Sequence, residues 1–317
     1  MFFFVKKIAI FLSFLLLLFI GVEVYLSFFE SAFQIKAKYA EKNKASIGML
    51  VLGSSHNQNS INPDYLTYPS ANIAFGGQDL HLDWLLLSKE IKLLSNLKIV
   101  LFELSYHSLE MKNQNWYERN PLYLRFYNIN NFGRQPNIMD YSIFLSNPKL
   151  YLKILNPLTS KPKFNKYGFE TQIGHYGRFN EDRFKMMNYD TSLILSDTNN
   201  IFISRHKYQD LKTYRENCMI FNQMVDMCVK NNITPMVVIT PVYKSYYQQM
   251  IPAKKNRRDN FLFQMTKKFP KLQIINYENS NRFKVIDFKN EDHLNPQGAK
   301  KFSLIIDSIL TSRVSNN

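Results

Sequence analysis

Cysteine is scarce in this chain of 317 residues, which contains only Cys218 and Cys228. Both belong to a segment, residues 207–231, that is predicted to form one helix, and ten residues of helix rise by about 15 Å. A disulfide requires Cα atoms within about 7 Å of each other. We therefore predict two unbridged core cysteines, in a domain large enough to fold without a disulfide.

The sequence also lacks the patterns that hold metals and nucleotides. No group of His, Cys, Asp and Glu residues has the spacing of a metal site. The pair Gly76-Gly77 is too short for a phosphate-binding loop and is not followed by Lys and then Ser or Thr. We therefore expect no metal and no cofactor.

A dense block of Lys and Arg of the nucleic-acid-binding type is missing as well, although the net charge is +15. A dispersed basic charge suits an anionic membrane surface or an anionic polymer. Nucleic acid is therefore not an expected partner. The densest basic group is interpreted as a solvated face, because charge runs usually form one; its members are Lys254, Lys255, Arg257 and Arg258.

The N-terminus carries a long apolar segment. Lys6 and Lys7 precede a run from Ile8 to Phe28 that is interrupted only by Glu23, and a transmembrane helix needs roughly 20 mostly apolar residues. No clear A-x-A-like cleavage site follows, and the lack of an early cysteine excludes a lipoprotein. These features favour an uncleaved signal anchor over a cleaved signal peptide or a buried core helix.

The two lysines also predict the topology, because basic flanking residues favour the cytoplasmic side. We expect a single-pass protein of the cytoplasmic (inner) membrane, with its N-terminus inside and its main domain periplasmic or extracellular. Residues 1–29 are predicted to form the cytoplasmic tip and the transmembrane anchor. Residues 30–47 are predicted to form a polar stalk, and residues 48–317 the main domain.

From residue 48 onwards, short apolar runs alternate with helical patterns, which indicates an α/β fold with a parallel sheet and crossover helices. Residues from about 111 to 200 break this rhythm. We interpret them as an insertion, partly helical at 139–155, that packs as a lid or side lobe. The predicted strands are 49–53, 72–75, 98–104, 235–240 and 272–277, and the predicted helices are 80–95, 207–231 and 297–311.

The sequence VLGSSH at residues 51–56 leads the first predicted strand into a turn of small residues that ends at Ser55. Such a turn places a hydroxyl at the carboxyl end of a parallel sheet, where the sites of α/β proteins form. The N-terminus of a following helix would direct backbone N–H groups at an oxyanion. The alternative is that a serine here only caps that helix.

A histidine, His293, stands in the loop before the last predicted helix, within the sequence NEDHLNPQGA at residues 290–299. A serine nucleophile needs a base that takes its proton, and the base needs a partner that fixes its tautomer. Asp292 and Asn290, one and three residues upstream, are both candidates for that partner. The alternative is that Asp292 or Asn295 caps the final helix, with Pro296 at its first position.

Together these two motifs resemble the SGNH (GDSL-type) hydrolase superfamily. That family carries its nucleophile in a G-D-S-like first block and its base in a D-x-x-H block near the C-terminus. Residues 53–55 resemble the first block with Ser54 in place of the acid, and His293 resembles the base with Asn290 in place of Asp. The G-S-S and H-L-N-x-x-G-A versions resemble membrane-anchored relatives of the DltD and alginate O-acetylation type. The resemblance covers about 48–110 and 205–315 and implies an SGNH-type parallel, flavodoxin-like sheet.

The resemblance also implies an oxyanion hole. Residues 72–77 resemble the second block, with Gly77 as the N–H donor and Gly76 as its neighbour. His107 stands near the position of the third-block asparagine, where a histidine N–H can donate instead. Tyr243, Tyr246 and Tyr247 follow the fourth strand, and aromatic groups of this kind either line a sugar cleft or pack in the core.

The implied function is that of a serine esterase or O-acyltransferase acting on an envelope polysaccharide or other glycan through an acyl-enzyme at Ser55. Esterase and transferase share that intermediate, so the sequence does not separate them. The alternative is a non-catalytic accessory or glycan-binding envelope protein that partners a membrane-bound acyltransferase. The departures at Ser54, Asn290 and His107 favour this alternative.

Overall fold

The structure is a computed structural model, and it describes residues 2–113, 118–156, 163–171, 191–196 and 201–314. The chain divides into two compact units. The smaller unit combines Met1–Ser31 with Gln114–Lys161, and the larger unit combines Ala32–Asn113 with Pro162–Asn317.

The larger unit is built on a five-stranded parallel sheet with the strand order β2-β1-β3-β4-β5. The order reverses between β1 and β3, and this switch point is where doubly wound sheets form their sites. A separate antiparallel pair, β6 and β7, lies near the C-terminus. The strands are β1 Met49–Val51, β2 Ser70–Asn72, β3 Ile99–Glu103, β4 Thr234–Ile239, β5 Gln273–Asn276, β6 Phe288–Asn290 and β7 His293–Leu294.

Helices connect and flank these strands, and short 3-10 turns occur at 63–65, 108–110, 138–141 and 285–287. The α-helices are α1 Phe2–Phe28, α2 Ala32–Lys42, α3 Ser55–Ser60, α4 Leu80–Leu93, α5 Asn120–Tyr127, α6 Ile143–Ser146, α7 Pro148–Leu155, α8 Thr191–Ser196, α9 Ile201–His206, α10 Leu211–Lys230, α11 Lys244–Gln248, α12 Pro252–Lys268 and α13 Pro296–Val314.

The central strands are apolar because both faces of the sheet are covered. All three residues of β1 are fully buried, as are Val100, Leu101 and Phe102 of β3. Carboxylate caps begin the long helices that cover them: Asp79 accepts from the N–H of Leu82 at the start of α4, and Asp210 does the same for α10. A cap of this kind satisfies one of the N–H groups left open at a helix start.

The predicted α/β fold with a five-stranded parallel sheet is confirmed. The observed β1, β3 and β5 lie within the predicted strands, and β4 begins one residue before its predicted start. The strand β2 differs more, because it begins two residues earlier than predicted and ends at Asn72. Its polar residues did not indicate a strand. They are tolerated in the core because Asn72 is fully hydrogen-bonded, to the backbone of Asn57, Ile61 and Ala74.

Two further expectations on the larger unit differ from the structure. Residues 30–47 were expected to form a stalk, but α2 packs into the larger unit, with the Phe33 ring 4.9 Å from that of Phe75. Lys36, within the predicted stalk, is buried and donates from Nζ to the carbonyl of Ala74 at 2.7 Å. The basic run 254–258 is not a solvated face either, because Lys254 and Arg258 are buried.

The two cysteines are unbridged as predicted, and both lie on α10. Cys228 is buried and Cys218 is half-buried. Burial raises the pKa of both thiols, to about 12 for Cys228 and about 11 for Cys218. Both side chains are therefore neutral thiols at physiological pH.

The smaller unit contains α1, α5, α6, α7 and the 3-10 turn at 138–141. Helix α1 has 27 residues and a mean hydropathy of 2.5 in its most apolar window, so it is long and apolar enough to span a membrane. The predicted helical character of 139–155 is confirmed. Much of the rest of the predicted 111–200 insertion, including 172–190, lies outside the described residues.

The ion pair between Arg258 and Glu278 is a testable element of this core. Both side chains are nearly inaccessible, at 2% and 3% exposure, and the guanidinium donates to both carboxylate oxygens. We expect Glu278→Gln to lower the free energy of unfolding by about 2–3 kcal/mol, because it leaves a buried cation with only Asp259 as its partner. Denaturant titration of the full chain in detergent measures this.

The matched control is the exposed pair Lys230–Asp226 on α10, whose side chains are 72% and 42% exposed. Asp226→Asn is expected to change the free energy of unfolding by less than about 0.5 kcal/mol, because exposed ion pairs contribute little. Equal effects of the two substitutions would contradict a structural role for the buried pair.

Candidate active site

Most of the candidate site residues lie at the carboxyl edge of the sheet. Ser55 follows β1, Gly76 and Gly77 follow β2, His107 follows β3, and Thr240 follows β4. The antiparallel pair β6–β7 and the turn that joins them bring Asn290, Asp292 and His293 to the same edge, since His293 contacts Ser55. Parallel strands end on the same side of a sheet, so residues far apart in sequence meet there.

The turn after β1 depends on Gly53. Its φ of +128° lies in the region that favours glycine. A Cβ at this position would also lie 2.4 Å from Cβ of Glu103. Any side chain here would therefore push β3 away from the turn, and Ser55 would lose its position at the first residue of α3.

Glu103, at the end of β3, binds the turn after β1 through its carboxylate. Its carboxylate accepts from the N–H and the hydroxyl of Ser54, both at 2.7 Å, and from the N–H of Asn57 at 3.1 Å. Ser54, which replaces the acid of the resembled first block, therefore faces a buried carboxylate contributed by another strand. The hydroxyl of the neighbouring Ser55 points instead to His293.

Ser55, His293 and Asn290 form a continuous hydrogen-bonded chain. Oγ of Ser55 lies 2.8 Å from Nε2 of His293, and Nδ1 of His293 lies 3.0 Å from Oδ1 of Asn290. Oδ1 of Asn290 also accepts from the N–H groups of Asp292 and His293. An oxygen that only accepts requires a proton on Nδ1 of His293. Nε2 is therefore the nitrogen that can accept a hydrogen bond from the hydroxyl of Ser55.

Asp292 does not orient the ring of His293 through a direct hydrogen bond. Its Oδ2 lies 3.7 Å from Nδ1 of His293, too far for a hydrogen bond. Its Oδ1 lies 2.9 Å from Nε2 of His56, and both side chains are 1% exposed. Of the two partners left open by the sequence, the structure assigns the hydrogen bond to Asn290 and a nearby negative charge to Asp292.

His56 is held by two hydroxyls on the side away from Asp292. Its Nδ1 lies 3.1 Å from Oγ1 of Thr240 and 3.0 Å from Oγ of Ser105. Hydroxyls can accept a hydrogen bond from a protonated Nδ1 while Nε2 faces the carboxylate. Nδ1 therefore has hydroxyl acceptors and Nε2 faces an anion, which is an environment that favours a doubly protonated, cationic ring.

The pKa values of His56 and His293 are shifted in opposite directions. Burial has the largest single effect and lowers the pKa of His56, but the charge and contact of Asp292, together with the charges of Glu103 and Glu278, outweigh it and raise this pKa to about 9. Burial dominates at His293 and lowers its pKa to about 3, against the opposing effect of Asp292. The pKa of Asp292 is well below its ordinary value, because the neighbouring histidines outweigh the effect of burial. At neutral pH the site holds a cationic His56, an anionic Asp292 and a neutral His293.

Two more histidines, His107 and His206, complete the cluster. Their rings stack at 4.1 Å, and Nδ1 of His206 lies 2.6 Å from the hydroxyl of Tyr246. Burial lowers the pKa of His206 to about 4 and that of His107 well below its ordinary value. Both are neutral, so His56 is the one histidine of the cluster that carries charge in the described structure.

The predicted oxyanion residues have distinct positions. The N–H of Gly76 donates to Oε1 of Gln58 at 2.6 Å, so it is already engaged within the protein. Gly77 has a φ of +76°, and its carbonyl accepts from Asn113. His107 lies 3.5 Å from the hydroxyl of Ser54. The roles of Gly77 and His107 as oxyanion donors stay predictions.

In the described part of the chain, His56, Asp292 and His293 are close enough together to hold a metal ion, with their ligand atoms within 4.8 Å of one another. Each is engaged otherwise. The two nitrogens of His293 face Asn290 and Ser55, and Asp292 pairs with His56. All three residues therefore have partners within the protein.

Several residues of the site were not predicted from the sequence: Glu103, Ser105, His206 and Thr240, together with the pairing of His56 and Asp292. A usable signal existed for three of them, because Glu103, Ser105 and Thr240 stand at or just beyond the ends of β3 and β4. No protein-family model matches the chain, and no curated protein shows significant similarity to it. The family resemblance is carried by the motif residues alone.

The positive charge on His56 predicts that the free energy of unfolding depends on pH. A pKa raised from 6.5 to about 9 stabilises the folded protein fully below pH 6.5, and this contribution is lost as the pH rises through 9. We expect His56→Gln to remove a pH-dependent contribution on the order of 3 kcal/mol across this window. Denaturant titrations of both proteins between pH 6 and about 10 measure the difference.

The control is His81→Gln, which replaces a half-buried histidine on α4 that stacks on Trp84. This variant should keep the pH dependence of the parent protein. If His56→Gln also kept it, His56 would not be cationic in the folded state.

Proposed function

We propose that this chain is a membrane-anchored serine esterase or O-acyltransferase that acts on acyl esters of a cell-envelope glycan. The observation that carries the proposal is the hydrogen-bonded chain from Ser55 through His293 to Asn290 at the carboxyl edge of the sheet. A nucleophile, a base and an orienting group in this order are the parts that acyl transfer requires.

The reaction begins when Oγ of Ser55 attacks the ester carbonyl and its proton moves to Nε2 of His293. A tetrahedral intermediate forms, with its negative charge on the former carbonyl oxygen. Collapse breaks the bond to the leaving alcohol, which takes the proton from Nε2, and an acyl group remains on Ser55. Water or a sugar hydroxyl then attacks the acyl group, with His293 again taking and returning the proton.

Asn290 and Asp292 divide between them the work that one carboxylate does in a Ser-His-Asp site. Asn290 fixes the ring orientation and the tautomer of His293, but as a neutral amide it adds little to imidazolium stability. Asp292, whose Oδ2 lies 3.7 Å from Nδ1, supplies the negative charge that favours a transient imidazolium. Burial of His293 and the positive charge of His56 outweigh the effect of Asp292 in the resting state, so the pKa of His293 stays low and its ring stays neutral.

The N-terminal helix supports the proposed location, and the sequence motifs support the proposed substrate class. Helix α1 is long and apolar enough to span a membrane, and Lys6 and Lys7 favour a cytoplasmic N-terminus. The enzyme would then be a single-pass protein whose catalytic unit faces the envelope. The resemblance to SGNH relatives that act on envelope polymers supports a polysaccharide as acceptor or substrate.

One observation favours a second candidate, a non-catalytic protein that keeps the fold and partners a membrane-bound acyltransferase. The N–H of Gly76 is engaged by Gln58, which removes one candidate oxyanion donor. Electrostatic stabilisation of the oxyanion is usually a large part of acyl-transfer catalysis. A site with a nucleophile and a base but few donors would bind esters without turning them over rapidly.

An activity-based probe tests the proposal. A fluorophosphonate is expected to label the full-length protein covalently, and Ser55→Ala should abolish labelling. His293→Ala should lower the labelling rate by about 100-fold or more, because the hydroxyl loses its base. Asn290→Ala should lower it less, since the ring stays close to Ser55 but loses its fixed tautomer. In-gel fluorescence against time measures these rates.

The matched control is Ser54→Ala, which removes the adjacent hydroxyl that faces Glu103. Labelling should persist in this variant. A folded wild-type protein that takes no label would contradict the acyl-enzyme mechanism and favour the accessory protein.

A further inference from the structure

Glu23 occupies an unusual position for a carboxylate. It is the only acidic residue of α1 and lies 16 positions after Lys7, which corresponds to a rise of about 24 Å. The hydrocarbon core of a bilayer is about 30 Å thick. With Lys7 at the cytoplasmic boundary, Glu23 therefore lies within the outer leaflet, where an unpaired charge is expensive.

Residues of the smaller unit satisfy this carboxylate completely. Glu23 accepts from the hydroxyl of Ser142 at 2.6 Å and from the N–H groups of Ile143 and Phe144 at 3.1 and 2.8 Å. Arg125 lies at 3.3 Å and neutralises the charge. The ring of Phe144 also packs edge-on against that of Phe19, one turn earlier on α1. Ser142, Ile143 and Phe144 therefore lie at the membrane depth of Glu23.

The 3-10 turn that immediately precedes Ser142 is apolar on its outside. Ile138 is 87% exposed, Met139 57% and Tyr141 47%. Its one acidic residue, Asp140, is buried and paired with both terminal nitrogens of Arg134. Ile138 is four residues from Ser142, so the turn cannot lie more than about 14 Å from it.

We propose that the turn Ile138–Tyr141 is inserted into the outer leaflet of the membrane that α1 spans, with phospholipid as its partner. This inference rests on the proposed membrane anchoring. The turn lies within about 14 Å of residues at the depth of Glu23, and it exposes apolar side chains. The nearby cations are neutralised, Arg125 by Glu23 and Arg134 by Asp140. The turn would hold the smaller unit at a fixed depth on the membrane.

The same contacts argue that α1 is retained in the mature protein. Cleavage after α1 would strip the N–H groups of Ile143 and Phe144 and the guanidinium of Arg125 of their shared acceptor. A signal peptide that is removed would not be expected to supply hydrogen bonds on which the mature protein depends.

Site-specific labels test the depth of the turn. Ile138→Cys and Met139→Cys, each in a Cys218→Ser/Cys228→Ala background, are labelled with an environment-sensitive fluorophore and reconstituted at full length in phosphatidylcholine–phosphatidylglycerol vesicles. We expect quenching by lipids that carry a nitroxide on the acyl chain. Iodide quenching should be about five-fold weaker than at an exposed site, because interfacial segments lie about 5–10 Å into the boundary.

Two control positions make the outcome decisive. Leu16→Cys, on α1, should be quenched by the lipid nitroxide, and Met219→Cys, on α10 and 61% exposed, should be quenched by iodide alone. If position 16 is lipid-quenched but 138 and 139 respond to iodide like 219, the insertion of the turn is refuted while anchoring stands. If position 16 also fails, anchoring itself is refuted.

A protein contact is the remaining outcome. The vesicles contain no other protein, so shielding of 138 and 139 from iodide without quenching by lipid would show contact between copies of this chain, and would overturn the lipid assignment. Fluorophosphonate labelling of Ser55 in the same vesicles reports separately on the proposed chemistry.

Discussion

The buried ion pair between Asp292 and His56 is the interaction on which the candidate site depends. A carboxylate this close to the base would ordinarily hold a proton on it, and a protonated His293 cannot activate Ser55. His56 takes that place instead, because its Nε2 is nearer to Asp292 and its Nδ1 faces two hydroxyls. Burial, reinforced by the positive charge of His56, leaves His293 neutral, and the carboxylate 3.7 Å away stabilises its ring once it accepts a proton.

The fold supplies this arrangement through the edge where its parallel strands end. Gly53 permits the close approach of β1 and β3, and Glu103 uses that approach to bind the start of α3. Ser55 is thereby fixed on a helix start instead of a mobile loop. The loop before α13 brings in His293, whose orientation is set within four residues by Asn290. Positioning by short local contacts limits the motion of Ser55 and His293 relative to each other.

Patterns in the sequence predicted the parts of the structure that depend on local chemistry. Apolar runs predicted the parallel sheet, and the motifs around Ser55 and His293 identified two residues that the fold brings to 2.8 Å. Such patterns do not predict contacts between residues that are far apart in sequence. Lys36 was taken for a stalk residue because nothing nearby in sequence shows that the carbonyl of Ala74 will accept from it. His56 and Asp292 are 236 positions apart, and their pairing exists only once β1 and the last loop meet.

The protonation states of the histidines provide the most direct test, because the proposed chemistry requires a neutral His293 beside a cationic His56. ¹⁵N NMR of the histidine-labelled full-length protein in detergent distinguishes the states, with assignments from His56→Gln and His293→Gln. At neutral pH the account predicts a doubly protonated ring for His56 and a neutral ring with its proton on Nδ1 for His293. A doubly protonated His293, or a neutral ring with its proton on Nε2, would contradict it.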